Sequence, residues 1–114
     1  SPKDENLCKP DDDTDFQDQV FNGNIVGMEE CDWMLCNTRN KDMGSIFEAG
    51  YFHKLDKPIV YFCAGLPEGA KFNLMLAASG KAVCTSMSDL EDYLDGCLQH
   101  GNGVVERRYG GNIE

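Results

Sequence analysis

The chain has 114 residues, a formal net charge of −10, 41% hydrophobic residues and 10% aromatic residues. That gives room for one folded domain with a core, and too many apolar groups for a disordered chain. The negative balance speaks against nucleic acid or an anionic membrane surface as a partner, since both reward clustered Lys and Arg, and no apolar run approaches the roughly 20 residues that cross a bilayer.

Six cysteines raise the question of a disulfide scaffold. Cys31, Cys36, Cys63 and Cys84 fall in or beside apolar runs, with no CxxC pair and no metal-ligand spacing to His53 or His100. Buried free thiols in a reducing, cytoplasmic setting are therefore expected, with no structural metal and no cofactor. No signal-peptide pattern opens the chain.

Residues 1–13 carry Pro2, Pro10 and the run Asp11-Asp12-Asp13, and read as an exposed loop. Thr14 and Asp15 then offer helix N-caps, and Phe16, Val20, Ile25 and Met28 make an approximate helical stripe that ends near Glu30. Gly23 and Gly27 lie inside this helix, at a cost of roughly 1 kcal/mol each relative to alanine. Asp32-Trp33-Met34-Leu35-Cys36-Asn37 suits a short buried strand, followed by a polar loop over 38–44. A helix is predicted over 45–55, stopped by Asp56-Lys57-Pro58 because proline cannot continue a helix. Ile59-Val60-Tyr61-Phe62-Cys63 is continuously apolar, as parallel strands covered on both faces are. A glycine-bearing loop over 64–70 leads to a short helix over 72–78 and a third strand, Ala82-Val83-Cys84-Thr85. Ser88-Asp89-Leu90-Glu91 reads as a capping box that opens a last helix, with Leu90, Tyr93, Leu94, Cys97 and Leu98 as its apolar stripe. The tail over 101–114 is glycine-rich and polar.

Alternating strands and helices predict one α/β domain over 1–114: a parallel sheet with helices on both faces, in a three-layer, flavodoxin- or Rossmann-like arrangement. The chain opens in a loop rather than in the buried first strand usual for such folds. An N-terminal strand and helix are therefore expected to be absent from this chain.

The segment with chemical content is Asp42-Met43-Gly44-Ser45-Ile46-Phe47-Glu48-Ala49-Gly50-Tyr51, with Lys57-Pro58-Ile59-Val60 behind it. Asp42 ends the loop after a strand, and Glu48 follows in the next helix. In open α/β sheets ligands bind beyond the carboxyl ends of the strands, so both carboxylates would edge the expected crevice. Spacing alone leaves a plainer alternative open, in which Glu48 is solvated and Asp42 is an anion favoured by the helix dipole. Asn73 likewise reads as a helix N-cap or as a ligand contact, and Met75 as a core or interface residue.

The pattern D-x-G-x-x-x-E-x-G-Y, with K-P-I-V nine residues after the Glu, resembles the active-site helix of nucleoside 2-deoxyribosyltransferases. Three further segments are similar to that family: Asp32-Trp33-Met34-Leu35 before the motif, Phe72-Asn73-Leu74-Met75 after it, and the ending Tyr109-Gly110-Gly111-Asn112-Ile113-Glu114. The likeness runs from about Asp15 to the end of the chain.

The resemblance implies a transferase that moves 2-deoxyribose between nucleobases in nucleoside salvage. Glu48 would be the nucleophile, forming a covalent deoxyribosyl intermediate as retaining glycosidases do. Asp42, beside Gly44, would hydrogen-bond the sugar hydroxyls. Asn73 and Met75 would reach the nucleoside from a neighbouring subunit of a homo-oligomer, with Glu114 nearby. The substrates implied are a small deoxynucleoside and a free nucleobase. The position where the family carries an acid for the leaving base holds Asn24, an amide that cannot donate a proton as an acid does. A hydrolase of the same superfamily, acting on a deoxynucleoside or its 5′-monophosphate, and a catalytically silent nucleoside-binding relative are the alternatives.

Overall fold

The computed structural model describes residues 13–40, 42–101 and 103–114. They belong to two compact units, Ser1–Cys31 and Asp32–Glu114. The predicted opening loop lies outside the described residues except for Asp13.

In the first unit a single helix, α1 (Thr14–Glu30), runs over the predicted stretch. Its N-cap is Asp13 rather than Thr14 or Asp15: the Asp13 carboxylate accepts from the Phe16 amide at 2.7 Å. A carboxylate placed one residue earlier satisfies an otherwise orphaned donor and also faces the positive end of the helix dipole.

The second unit is an α/β layer structure with β1 (Met34–Asn37), α2 (Met43–Lys54), β2 (Ile59–Phe62), β3 (Lys71–Phe72), α3 (Leu74–Ser79), β4 (Ala82–Cys84), α4 (Met87–Gln99) and β5 (Asn112–Ile113). Strands β1, β2 and β4 form a parallel sheet with β2 in the middle. Leu35 pairs with Val60, and Phe62 with Cys84. All four residues of β2 are buried, as its unbroken apolar run predicts.

Alternation along β2 sorts the two faces. Val60 and Phe62 join Ala82, Cys84, Leu90, Tyr93 and Cys97 in a core beneath α4, with Ala64, Leu94 and Val104 packed at its margin. On the opposite face Cys36 and Tyr61, paired across β1 and β2, meet α2 and α3. The helix α2 contributes Ala49 and fully buried Phe52 to that layer. The Tyr61 hydroxyl shares a 2.7 Å hydrogen bond with Ser79 at the end of α3. Helices thus cover both faces, the predicted three-layer arrangement.

Several boundaries differ from expectation for physical reasons. Leu35 is 45% exposed because β1 lies at the edge of the sheet formed by the described residues and only its Cys36 is fully covered; Trp33, 39% exposed, falls just before the strand. Cys31 is exposed and Cys63 half-buried, so of the four thiols singled out only Cys36 and Cys84 are buried; all described cysteines are free. The helix predicted over 72–78 starts two residues later, since Phe72 is taken into strand β3 and Asn73 caps α3. The cap of α4 is Ser86, whose hydroxyl accepts from the Asp89 amide at 3.0 Å, rather than Ser88. Leu98, placed on the apolar stripe, is 62% exposed because it lies in the last turn of α4, near its His100 C-cap.

The tail is less plain than its composition implies. Strand β5 pairs in parallel with β3, Lys71 opposite Asn112 and Phe72 opposite Ile113. Tyr109 lays its ring against Phe72, with centroids 5.7 Å apart, and Phe72 lies 6.3 Å from the Tyr61 ring. No helix among the described residues is long and apolar enough to cross a membrane.

Candidate active site

Strand β1 delivers the chain to the carboxyl edge of the sheet. Thr38, nearly buried, donates its amide to the Phe62 carbonyl at 2.9 Å and so extends the sheet by one rung. The Asn37 carboxamide accepts from the Arg39 amide at 3.0 Å, a local turn that reverses the chain toward α2.

Asp42 starts α2. One carboxylate oxygen accepts from the Gly44 amide and the other from the Ser45 hydroxyl, both at 3.0 Å. The helix-cap role left open by the sequence is therefore real. It does not use up the residue, because each carboxylate oxygen accepts more than one hydrogen bond. A Cβ at Gly44 would meet an Asp42 oxygen at an ordinary 3.5 Å, so nothing within this chain demands glycine there.

Glu48 lies six residues beyond Asp42, about a turn and two-thirds along α2. At about 100° per residue it projects from the flank beside Ser45 and Phe52, neither into the core with Ala49 nor out with exposed Met43 and Phe47. It is half-buried. Among the described residues no hydrogen bond or ion pair engages its carboxylate. A half-buried carboxylate with no partner among the described residues, on the helix that starts at the strand ends, can serve as a nucleophile or base.

Asn73, Met75 and Glu114 gather elsewhere, around the β3–β5 pair. The Asn73 side-chain oxygen accepts from the Leu76 amide at 3.2 Å, which makes it the cap of α3 and leaves its NH2 group to donate outward. Met75 is 74% exposed and Leu74 53% exposed. Glu114 is tied to this corner by its backbone: its carbonyl accepts from the Leu74 amide at 2.8 Å, and its amide donates to the Phe72 carbonyl at 3.0 Å. The structure thus brings Asp42, Gly44 and Glu48 together on α2, and Asn73, Met75 and Glu114 together at β3–β5. Asn24 sits half-buried on α1, in the other unit.

Two surface cavities accompany these elements. One of about 350 Å³ lies by the loop after β2, lined by Leu66, Gly69, Thr85, Tyr109 and Asn112 among others. Another of about 190 Å³ runs between α3, β4 and the tail, with Leu74, Arg107 and Tyr109 on its walls. Neither Asp42 nor Glu48 lines them. Among the described residues no group of three or more His, Cys, Asp or Glu side chains is placed to hold a metal ion.

Sequence reasoning missed the pairing that holds the second cluster. Two-residue strands carry no periodicity to detect, and the available hints were the isolated apolar residues Tyr109 and Ile113 among the glycines of the tail.

Comparison with known proteins converges on one group. The sequence matches the family of nucleoside 2-deoxyribosyltransferases over residues 1–107. Among solved structures, a 2-deoxyribosyltransferase of Bacillus psychrosaccharolyticus superposes with a TM-score of 0.69 at 22% sequence identity, covering 96% of this chain and 75% of that one. At that identity the likeness establishes the fold. The curated proteins contain no match.

Proposed function

Because this chain belongs to the nucleoside 2-deoxyribosyltransferase family, we propose that it moves 2-deoxyribose from one nucleobase to another, with Glu48 as the attacking group. The observation that carries this proposal is the half-buried Glu48 carboxylate, unpaired among the described residues, on the helix that Asp42 caps at the carboxyl edge of the sheet. Family and fold point to a deoxyribosyltransferase-type enzyme acting on nucleosides.

A Glu48 oxygen attacks the anomeric carbon of a 2′-deoxyribonucleoside as the bond to the base breaks, and the bonding pair leaves with the base. The product is a deoxyribosyl ester on Glu48. A second base then attacks the same carbon, the ester oxygen departs, and two inversions give overall retention. A partly desolvated carboxylate suits this, since it stabilises the oxocarbenium character of both transition states more strongly than a solvated one. Asp42 uses its spare lone pairs to accept from sugar hydroxyls. The outward-facing Asn73 amide, with Met75 and Glu114 beside it, serves the nucleoside bound by a neighbouring copy of the chain. The setting is nucleoside salvage in the cytoplasm.

Asn24 favours a second reading. An amide binds a departing base without protonating it, which slows exchange of bases that leave poorly. A hydrolase of the superfamily or a silent nucleoside-binding relative fits that feature as well.

The deciding experiment is base exchange: 2′-deoxyinosine or thymidine incubated with adenine or cytosine, separated by chromatography, beside Glu48→Ala. A new deoxynucleoside, lost by at least about a thousandfold in the variant, establishes both transfer and nucleophile. Free base without a new nucleoside means hydrolysis. A folded protein with no turnover is a silent relative.

A further inference from the structure

Asn73 follows a strand of two residues, and two parallel rungs do not hold themselves together in water. What keeps β5 on β3 must come from the tail that carries it. Of the groups that anchor that tail upstream, one tail side chain makes the most contacts. Arg107 places its guanidinium against both oxygens of Asp89, at 2.9 and 3.1 Å, in a bidentate fork. Its second terminal nitrogen also reaches the Val83 carbonyl at 3.4 Å and the Cys84 sulfur at 3.5 Å. The guanidinium lies over the Tyr93 ring, 5.1 Å from its centroid. Its backbone amide donates to the Lys81 carbonyl at 2.7 Å.

The receiving side is itself fixed. Asp89 accepts from the Thr85 amide at 3.1 Å, in the first turn of α4. The Tyr93 hydroxyl donates to the Val105 carbonyl, a second attachment of the same segment. Beyond Arg107 only Arg108, Tyr109, Gly110 and Gly111 intervene before β5. Tyr109 packs on Phe72 and folds back over Gly111, where a Cβ would run into its ring. Asn112 then donates its side-chain amide to the Gly69 carbonyl at 3.0 Å.

We propose that Arg107 is a positioning residue for the deoxynucleoside site: its hold on Asp89 and β4 fixes the tail, keeps β5 on β3, and thereby orients Asn73. The proposal rests on the role given to Asn73 above. Arginine is needed for its planar fork and its stacking face; a lysine keeps the charge and loses both.

The test combines backbone amide exchange at Leu74 and Glu114 with steady-state base exchange, for wild type, Arg107→Lys, Arg107→Ala and Asn73→Ala. Those two amides report the β3–β5 junction without reference to activity. In Arg107→Ala they should exchange about three- to fivefold faster, the range expected for a partly exposed ion pair, with a smaller change in Arg107→Lys. KM for the deoxynucleoside should rise in step while kcat stays within about twofold, since a positioning residue acts through Asn73 and not on the reacting atoms. Asn73→Ala should raise KM too, and adding Arg107→Ala to it should raise KM little further. Unchanged amides in a folded Arg107→Ala protein overturn the proposal, as does an unchanged KM when the amides have opened. A wild-type protein that exchanges no base sinks the functional reading instead, and takes this proposal with it.

Discussion

Alanine at Gly80 puts one methyl group into the contact between the end of α3 and the central strand. A Cβ built there lies 2.6 and 2.7 Å from two Tyr61 ring carbons and 3.1 Å from the Ile59 carbonyl oxygen. Neither neighbour yields cheaply. Tyr61 is 1% exposed, its hydroxyl is bonded to Ser79 and its ring lies beside Phe72, while the Ile59 carbonyl accepts from the Lys81 amide at 2.7 Å. Overpacking of this kind costs about 1–3 kcal/mol, and the rigid surroundings place Gly80→Ala in the upper half. Alanine returns about 0.5–1 kcal/mol by narrowing the unfolded ensemble. The net loss is about 2 kcal/mol, which for a chain of this length lowers Tm by about 8 °C. Urea unfolding followed by circular dichroism should show a lower midpoint with an unchanged slope. In a Tyr61→Leu background the same substitution should cost less than about 1 kcal/mol, because the obstructing ring is gone. A Gly80→Ala protein as stable as wild type would refute the packing argument.

Asp42→Ser separates the two roles of that residue. Serine is itself a good N-cap, so stability should stay within about 0.5 kcal/mol while Asp42→Ala loses about 1 kcal/mol; KM for the deoxynucleoside should rise about tenfold in both, and a normal KM in the serine variant removes Asp42 from the sugar site. Asp56, just past the Leu55 C-cap of α2, has φ of 60°, so Asp56→Gly should stabilise by about 0.5–1 kcal/mol in the same urea assay. Burial pushes the Cys84 thiol above its ordinary 9.0, and the Tyr61 and Tyr93 phenols above 10.0. The unfolded chain releases these protons first, so stability is full below about pH 9 and falls above it, by up to roughly 1.4 kcal/mol per pH unit for each group. Cys84→Ala should delay the onset to about pH 10, read as Tm against pH.

The parts of the fold that the sequence revealed are those whose local and global demands agree. Pro58 had to end α2, the apolar run of β2 had to be central, and the D-x-G-x-x-x-E spacing had to put both carboxylates on one helix. Asp42 as a cap and Asn73 as a cap were each legible as one of two alternatives, and the structure makes both caps real while leaving spare lone pairs on Asp42 and the NH2 group of Asn73. The misses share a cause. Leu35, Leu98 and Cys31 are apolar in sequence but exposed among the described residues, which no local pattern encodes. Strands β3 and β5 exist only because each finds the other, with Phe72 and Tyr109 as the contact. The Arg107–Asp89 pair joins residues 18 apart that belong to a helix and a tail.

That β3–β5 pairing also has an order in time. Lys71 and Asn112 are partners across about forty intervening positions, and closing such a loop yields two rungs, one aromatic contact and a few hydrogen bonds in return. The sheet of β1, β2 and β4 under α4 offers a far larger gain for comparable chain closure, so it must condense first. The tail then zips on to a nearly finished body. Substitutions at Tyr109 or Ile113 should accelerate unfolding and leave the folding rate alone, with φ-values near zero. Molecules emerging from the folding transition would carry a complete core and an intact Glu48 helix before the Asn73 corner takes shape; with the role proposed for Asn73, competence for binding would lag behind foldedness.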